Sequence, residues 1–317
     1  MHKRRSTPDK KTLNNLRLAM PLFSDAIVNA DTPINGLTDY LRFYQLPLAT
    51  PDLTLTSGTT EDRQTVIMSW RPINSLGTVI IVHGYMDHTG LYGHLIRHLL
   101  ARQMTVVCLD LKGHGLSAGT ACSITDFGGY VDQVKSVIAL CQAHFTGSLH
   151  GIGQSMGGAV LTKHCLNKTA TSDYPFASLN LLAPMLHPWD WKKIRRFYYL
   201  LRWFVKSIKS PPRSSSSDTE FLAFLRDQDP LQPTRMPLDW LGAADQWISE
   251  FAKASNVDYP MRIIQGDNDE TLDWKYNLSQ YRSKCHALQV SIIEGANHNL
   301  VNEEESLRER IFTQIKL

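Results

Sequence analysis

A serine between two glycines constrains the fold of this chain more than any other sequence feature. Residues 153–157 read Gly-Gln-Ser-Met-Gly, after an apolar run at 149–153 and before a helix-like run at 158–166. Glycines at these positions permit a strand-to-helix turn that is too tight for Cβ atoms. Such a turn exposes the Ser155 hydroxyl at a helix N-terminus, where developing negative charge is stabilised. The pattern predicts a strand–turn–helix unit with Ser155 as a candidate nucleophile, although a structural turn with an incidental serine has the same letters.

Short apolar runs recur along the chain, and amphipathic segments separate them. The runs are residues 66–70, 79–82, 105–109, 149–153, 179–182, 262–264 and 290–293. Continuous aliphatic runs of this length are typical of parallel strands that are buried on both faces. Alternation of such strands with helix-like segments indicates βαβ units. We therefore predict an α/β fold with a mostly parallel central sheet that is flanked by helices.

Composition excludes several classes of protein. The chain has 317 residues, of which 43% are hydrophobic and 20% charged, so it is neither disordered nor fibrous. Its 33 basic and 30 acidic residues leave a net charge of +3, which gives no electrostatic basis for binding nucleic acid. No apolar run is long enough to span a membrane and no secretory signal is recognisable. Five scattered cysteines predict reduced, buried thiols in a cytoplasmic protein.

One long interval interrupts the series of strand-like runs. Residues 184–260 contain no convincing strand but are rich in apolar and aromatic residues, which predicts a helical cap inserted into the sheet domain. Within it, an apolar stripe over residues 189–209 predicts one helix, and four serines at 214–217 predict a flexible link. The predicted organisation is an N-terminal extension, helical or mobile, at 1–47, a core at 48–184 and 259–317, and the cap at 185–258.

Two late strand-like runs end in residues that can activate a serine. His298 follows the run at 290–293, and an acidic cluster follows the run at 262–264. A serine hydroxyl needs a neighbouring base, which histidine supplies, and a carboxylate then fixes the imidazole tautomer. The candidate acids are Asp267, Asp269, Glu270 and Asp273. We choose Asp269, since a Gly-x-x-Asp spacing leaves room for the loop to turn back, and the alternatives stay open.

A second turn predicts donors for a developing oxyanion. The sequence His83-Gly84-Tyr85 ends the strand-like run at 79–82. A sharp turn there would aim the Tyr85 amide beside Ser155, and with the Met156 amide it would form a two-donor oxyanion hole. A simple strand-exit turn that is capped by His83 is the alternative. No residue pattern predicts a cofactor or a metal ion.

Together these motifs resemble the α/β-hydrolase superfamily, in particular the branch of lysophospholipases, monoacylglycerol lipases and serine aminopeptidase-type hydrolases. The resemblance rests on residues 82–88 (Val-His-Gly-Tyr-Met-Asp-His), 110–117 (Asp-Leu-Lys-Gly-His-Gly-Leu-Ser), 155–158 (Ser-Met-Gly-Gly) and 183–185 (Ala-Pro-Met), and it extends from about Leu53 to the C-terminus.

The resemblance implies Ser155 as nucleophile, Asp269 as acid, His298 as base and the amides of Tyr85 and Met156 as oxyanion donors. It also implies that His114, in the Gly-His-Gly turn, is structural. Gln154 departs from the histidine that often precedes the serine in close relatives. Its side chain is expected to point away from the scissile bond.

The first half of the cap is basic and aromatic. Residues 189–213 contain eight basic residues and one acid, whereas residues 218–258 are mainly acidic. Basic groups that could face an anionic membrane surface are Lys192, Arg195, Arg196 and Arg202. The alternative is that the apolar stripe packs on the core and the charges are solvated. Both interpretations predict an aromatic-rich apolar roof over Ser155, which favours an acyl chain.

The sequence and the resemblance therefore predict a serine carboxylic-ester hydrolase. Its substrate would be a lysophospholipid or a monoacylglycerol, cleaved through an acyl-serine intermediate, with possible contact at the inner face of the membrane. An aminopeptidase or amidase of the same fold is one alternative, since the acidic half of the cap could bind a substrate ammonium. A non-catalytic ligand-binding protein on the same scaffold is the other.

Overall fold

The computed structural model describes residues 7–29, 32–166, 174–210 and 214–317. Its strands are β1 (Leu53–Thr59), β2 (Val66–Pro72), β3 (Gly77–Val82), β4 (Met104–Leu109), β5 (Ser148–Gln154), β6 (Ser178–Leu182), β7 (Ser207–Lys209), β8 (Arg235–Pro237), β9 (Met261–Gly266) and β10 (Leu288–Ile293). Eight of them form one sheet in the order β1-β2-β4-β3-β5-β6-β9-β10. The pairs β1–β2 and β2–β4 are antiparallel, and all later pairs are parallel.

Each of the seven apolar runs lies in a strand of this sheet, which confirms the predicted fold class. The strand β1 was not predicted, because Thr54, Thr56 and Ser57 give it a polar appearance. Residues 53–59 form a strand because they pair with β2 in antiparallel register, and this pairing is not visible in their composition.

The helices cover both faces of the sheet. They are α1 (Lys10–Ala19), α2 (Phe23–Val28), α3 (Leu37–Phe43), α4 (Gly93–Ala101), α5 (Gly128–His144), α6 (Met156–Leu166), α7 (Trp191–Leu201), α8 (Thr219–Asp227), α9 (Leu238–Lys253), α10 (Trp274–Lys284) and α11 (Glu305–Thr313). Alternate residues of β3 enter different apolar clusters. Ile80 and Val82 pack with α5 and α6, while Val79 and Ile81 pack with α4 and α11. The sheet is therefore the middle layer of three.

Two N-terminal helices, α1 and α3, belong to the second of these clusters, whereas Phe23 of α2 belongs to the first. Leu16 of α1 and Tyr40 of α3 are buried there with Met68 and Trp70 of β2. The Trp70 indole also donates a hydrogen bond to the Pro47 carbonyl at 2.9 Å. The described part of residues 1–47 is thus packed on the sheet, and residues 1–6 and 30–31 lie outside the described ranges.

Two predictions about the cap are wrong. The helix expected over 189–209 ends at Leu201, and residues 207–209 instead pair as β7 with β8. A helical period detects one apolar face, but it does not detect a strand partner elsewhere in the sequence. The serines at 214–217 are not a flexible link, because Ser216 is buried and donates to the Asn302 carbonyl at 2.6 Å. Arg213, one of the basic residues of this region, lies outside the described residues.

Two further properties concern the whole described chain. All five cysteines are buried, as predicted. Among the residues that the structure describes, no helix combines the length and the apolar character that crossing a membrane requires.

Candidate active site

Ser155 occupies the tight turn between β5 and α6. Its φ angle of 52° is in the left-handed region, which a non-glycine residue adopts only where the surroundings hold it there. Its amide donates to the Leu182 carbonyl at 2.8 Å. A Cβ atom at Gly157 would lie 2.0 Å from the Val82 carbonyl oxygen, and one at Gly153 would lie 2.6 Å from the Gly157 carbonyl carbon. These two glycines are therefore needed for the turn, and the predicted strand–turn–helix unit is confirmed.

Three side chains meet at this turn in a hydrogen-bonded chain. The distance from His298 Nε2 to Ser155 Oγ is 2.9 Å, and that from His298 Nδ1 to Asp269 Oδ2 is 2.8 Å. Asp269 Oδ1 accepts from the backbone amides of Thr271 and Leu272 at 2.8 and 3.0 Å. The side chains of Ser155, His298 and Asp269 are all buried. Residues that are 143 and 29 positions apart in sequence are thus brought together at the carboxyl edge of the sheet.

The surroundings of Asp269 favour its carboxylate form. Burial opposes ionisation, but the charge of His298 and hydrogen bonds from His298, Gln265 and Leu272 outweigh it, so the pKa of Asp269 lies below 3.8. The other candidate acids face elsewhere. Asp267 accepts from the Gly295 amide at 2.7 Å, and Glu270 is exposed. Asp273 accepts from the Tyr276 amide and caps α10.

This arrangement can activate a nucleophile by transfer of the Ser155 proton to His298. A carboxylate at Asp269 accepts the Nδ1 proton of a neutral His298, so that Nε2 is left as an acceptor facing Ser155. The imidazole can then take the Ser155 proton as the hydroxyl attacks, and Asp269 stabilises the resulting imidazolium.

The predicted oxyanion turn lies directly beside Ser155. A Cβ atom at Gly84 would lie 3.5 Å from the Ser155 Cβ atom. Tyr85 follows this glycine, borders the cavity and stacks on Trp240 of α9 with a centroid distance of 3.8 Å. Met156 begins α6 immediately after the nucleophile. Both predicted donor residues are neighbours of Ser155, and the role of their amides remains a prediction.

Two buried histidines, His83 and His114, lie near the site. His83 Nε2 accepts from the Leu111 amide at 2.9 Å, which fixes the turn before Gly84 to the loop after β4. Burial lowers the pKa of His83 and that of His114 to about 3, so both rings are neutral. The interpretation of His83 as a residue that holds a strand-exit turn is therefore compatible with an oxyanion turn at the next two residues.

Gln154 supports the loop that carries His298, and the direction of its side chain relative to the scissile bond stays a prediction. Gln154 borders the cavity, and its Nε2 donates to the His298 carbonyl at 2.8 Å. Gln154 is the last residue of β5, and the carboxyl ends of parallel strands share one edge of the sheet. Its amide therefore reaches the loop that carries His298.

A cavity of about 730 Å³ opens above Ser155 and His298. Its apolar lining from the cap is Leu222, Leu225 and Pro233, and its polar lining includes Lys209, Ser210, Ser214, Ser215, Gln232 and Thr234. The prediction of an aromatic-rich roof over Ser155 is wrong. The cap residues Trp240 and Trp247 are buried between the cap and the core instead of lining the cavity.

A buried ion pair joins the cap to the turn that follows Gly84. His88 Nε2 lies 3.0 Å from Asp229 Oδ2, and the Tyr44 hydroxyl donates to Asp229 Oδ1 at 2.7 Å. Burial disfavours the His88 cation, but Asp229 outweighs it, so the pKa of His88 lies above 6.5. Burial also disfavours the Asp229 anion, but the charge of His88 outweighs it and the pKa of Asp229 lies below 3.8. No sequence signal links these residues, which are 141 positions apart.

A second carboxyl group borders the cavity and was not singled out from the sequence. The Tyr92 hydroxyl donates to Asp87 Oδ2 at 3.0 Å and accepts from the Gly84 amide at 3.0 Å. Burial raises the pKa of Asp87. The pair places a hydrogen-bonding group on the cavity wall close to Ser155.

Comparisons with known proteins agree with this geometry. Residues 74–305 match the family described as "Serine aminopeptidase, S33". The human monoglyceride lipase is 30% identical over 265 residues, which are 78% of this chain and 84% of that protein. A monoglyceride lipase homolog of monkeypox virus is 26% identical over 268 residues, which are 78% of this chain and 91% of the viral protein.

A solved structure shows the same fold. It is a soluble variant of monoglyceride lipase from Saccharomyces cerevisiae in complex with a substrate analog, 20% identical with a TM-score of 0.69. The likeness covers 84% of this chain and 96% of the yeast protein. Because the family match spans more than half of the sequence, the chain belongs to the serine aminopeptidase S33 family of α/β-hydrolases and is a hydrolase.

Proposed function

We propose that the chain hydrolyses the ester bond of a monoacyl lipid, a monoacylglycerol or a lysophospholipid, with Ser155 as the nucleophile. The observation that carries the proposal is the hydrogen-bonded chain Ser155–His298–Asp269 at the base of a large cavity. The names of the human and viral relatives support a lipid ester as the substrate.

The proposed reaction has two steps, each with a balanced proton transfer. Ser155 Oγ attacks the ester carbonyl while His298 takes its proton, and the amides of Tyr85 and Met156 stabilise the oxyanion. Collapse of the intermediate releases the alcohol, which receives the proton from His298, and leaves an acyl-serine. Water then attacks the acyl group with His298 as the base, which releases the fatty acid and restores Ser155.

The cavity walls fit an acyl chain with a polar head group. The apolar side chains of Leu222 and Leu225 can contact the acyl chain. The volume of the cavity is in the range that holds a small ligand. An aminopeptidase would need an available carboxylate for the substrate ammonium. Among the described acids that line the cavity, Asp229 is occupied by His88 and Asp87 by Tyr92. The structure therefore favours ester hydrolysis over amide hydrolysis, and the complete hydrogen-bonded chain favours an enzyme over a ligand-binding protein.

A substrate panel tests this proposal. We expect higher kcat/KM for monoacylglycerols and lysophospholipids than for aminoacyl amides, because the cavity offers apolar contacts and both carboxyl groups among its described lining residues already have partners. Rates would be measured for a series of acyl chain lengths on glycerol and on phosphocholine, alongside amino acid anilides. A preference for the anilides would contradict the proposed substrate class. Failure of Ser155 to react with a fluorophosphonate in the folded protein would instead favour the ligand-binding alternative.

The proposal includes peripheral contact of the cap with an anionic membrane. The last turn of α7 and the three residues after it include large apolar side chains that are exposed to solvent. Leu200 is 68% exposed, Trp203 77% and Phe204 84%. We call these three residues the apolar tip.

Exposed basic residues along α7 and directly after it support an anionic lipid as the partner. Lys192, Arg196 and Arg202 are exposed, and the Arg202 guanidinium lies 5.0 Å from the Trp203 ring centroid. Arg195 contributes less to the net charge here, because its guanidinium pairs with Asp245 at 2.7 Å. Large apolar side chains beside basic ones are typical of helices that lie in the membrane interface.

Polar replacement of the apolar tip is expected to weaken membrane binding. Burial of one large apolar side chain contributes about 1.5–3 kcal/mol, so the double variant Trp203→Ser/Phe204→Ser should bind at least about 10-fold more weakly. Cosedimentation with vesicles of phosphatidylserine and phosphatidylcholine measures the change. Ile73→Ser/Leu76→Ser is a matched control, because those residues are 67% and 74% exposed in the connection between β2 and β3. Equal loss in both double variants would contradict contact through the apolar tip.

A further inference from the structure

The carboxylate of Glu303 lies between the loop that carries His298 and the cap. Glu303 is fully buried. Its Oε1 accepts from the Asn297 amide, one residue before His298. Its Oε2 accepts from the Ser217 amide at 2.6 Å and from the Ser217 hydroxyl. One carboxylate therefore bridges the histidine loop and residues 214–217, which we call the serine segment.

A second contact joins the same two parts of the chain. The Asn299 amide, one residue after His298, donates to the Ser215 carbonyl at 2.7 Å. The His298 carbonyl accepts from Gln154 at 2.8 Å. Glu303 thus links the residue before His298 to the serine segment, and the residue after His298 bonds to that segment directly. The His298 carbonyl is held by Gln154 at the end of β5.

No ion pair accompanies the buried side chain of Glu303 in the described part of the chain. Within the described ranges, no lysine, arginine or histidine nitrogen lies within 4.0 Å of its carboxylate oxygens. Arg308 donates instead to the backbone carbonyl of Glu303 at 2.7 Å. Burial of a carboxylate without a cation is costly unless hydrogen bonds satisfy its oxygens. The donors on two separate elements supply those hydrogen bonds, and the carboxylate in turn fixes the distance between the elements.

We infer that Glu303 is a positioning residue that sets His298 at hydrogen-bond distance from Ser155 through the serine segment of the cap. The inference rests on the proposed function, since it assigns His298 the role of the base. Displacement of a reacting group by about 1 Å can cost a factor of about 100 in rate. Ser214 and Ser215 line the cavity, so the serine segment both borders the cavity and supports the base. Correct seating of the cap is therefore part of the catalytic geometry.

Glu303→Gln is the variant that tests the inference. An amide has the size of the carboxylate but only one acceptor oxygen, so its NH₂ group must face either the Asn297 amide or the Ser217 amide. One of the two bridges is then lost. We expect kcat for a short acyl ester to fall by about 10- to 100-fold with little change in KM. The rate of fluorophosphonate labelling of Ser155 should fall in parallel.

Glu305→Gln is the matched control. Glu305 is exposed at the start of α11 and carries the same charge, so its replacement should leave both rates unchanged. A variant of the cap, Ser216→Ala/Ser217→Ala, leaves Glu303 and its bond to Asn297 in place. It removes only the hydroxyl contacts, so we expect a smaller loss of kcat than in Glu303→Gln. This variant replaces Glu303→Gln as the test if Glu303→Gln does not fold.

An NMR signal separates positioning from general stability. The proton shared between His298 Nδ1 and Asp269 should give a far-downfield resonance, which should shift or broaden in Glu303→Gln but not in Glu305→Gln. Wild-type kcat with an unchanged resonance would overturn the inference, as would a rise in KM at constant kcat. Wild-type protein that neither cleaves esters nor labels at Ser155 would overturn the proposed function, while the resonance still reports on the position of His298.

Discussion

Replacement of Ser155 by alanine is expected to lower kcat for monoacyl esters by about 10⁴- to 10⁶-fold. The variant removes the attacking oxygen and leaves only the stabilisation that the cavity and the oxyanion donors provide. His298→Ala should cost about as much, because the hydroxyl is not activated without its base. Initial rates with a monoacylglycerol and with a short-chain chromogenic ester measure both losses.

The two losses should not add. If Ser155 and His298 act as one unit, the double variant should be no slower than either single variant. Folding should be nearly unaffected, since Ser155→Ala deletes one oxygen from the site, and thermal unfolding would check this. Ser283→Ala, at an exposed position near the end of α10, is the control for serine replacement. Substantial residual activity in Ser155→Ala would mean that another group attacks the ester.

The parts of the fold that were predicted from the sequence depend on local signals. The apolar run at 79–82 is a buried strand because parallel strands with helices on both faces need apolar residues at every position. Ser155 was identified because the glycines two positions before and after it have a steric requirement that involves only adjacent elements. His298 follows the end of β10, and the carboxyl ends of parallel strands meet at one edge.

The parts that were missed depend on contacts between distant segments. Nothing near His88 in sequence indicates that Asp229 will pair with it, since the pairing exists only once the cap is folded onto the core. The serine segment suggested a flexible link by composition, but its hydrogen bonds go to Asn302 and Glu303, far along the chain. Composition describes a segment in isolation, so it gives no information about such partners.

The roof of the cavity was mispredicted for a related reason. A helical period shows that one face of a helix is apolar, but it does not show what that face contacts. Trp247 of α9 packs against the core and donates to the Met185 carbonyl, whereas Trp203 beyond α7 is exposed to solvent. Aromatic residues of the cap were expected above Ser155, and the apolar roof is formed instead by aliphatic residues such as Leu222 and Leu225.

The second large effect is expected at the acid. Asp269→Asn should lower kcat by about 10²- to 10⁴-fold, because an amide nitrogen facing His298 Nδ1 favours the wrong tautomer of the imidazole. Asp269 Oδ1 also accepts from two backbone amides, so the asparagine oxygen is expected to stay at that position. The NH₂ group then faces His298 Nδ1. His298 would therefore carry its proton on Nε2, where it cannot accept the Ser155 proton. Steady-state kinetics at neutral pH measure the loss.

Asp267→Asn and Glu270→Gln are matched controls for this change, since each removes one negative charge within two residues of Asp269. Both should keep activity close to that of the wild type, because Asp267 faces the Gly295 amide and Glu270 is exposed. Full activity in Asp269→Asn together with a loss in either control would move the acid to that residue. Equal small losses in all three variants would mean that the net charge near His298 matters and that no single carboxylate orients it. The structure predicts neither outcome, since Asp269 is the acid whose pKa is held below 3.8 and whose oxygen lies 2.8 Å from His298 Nδ1.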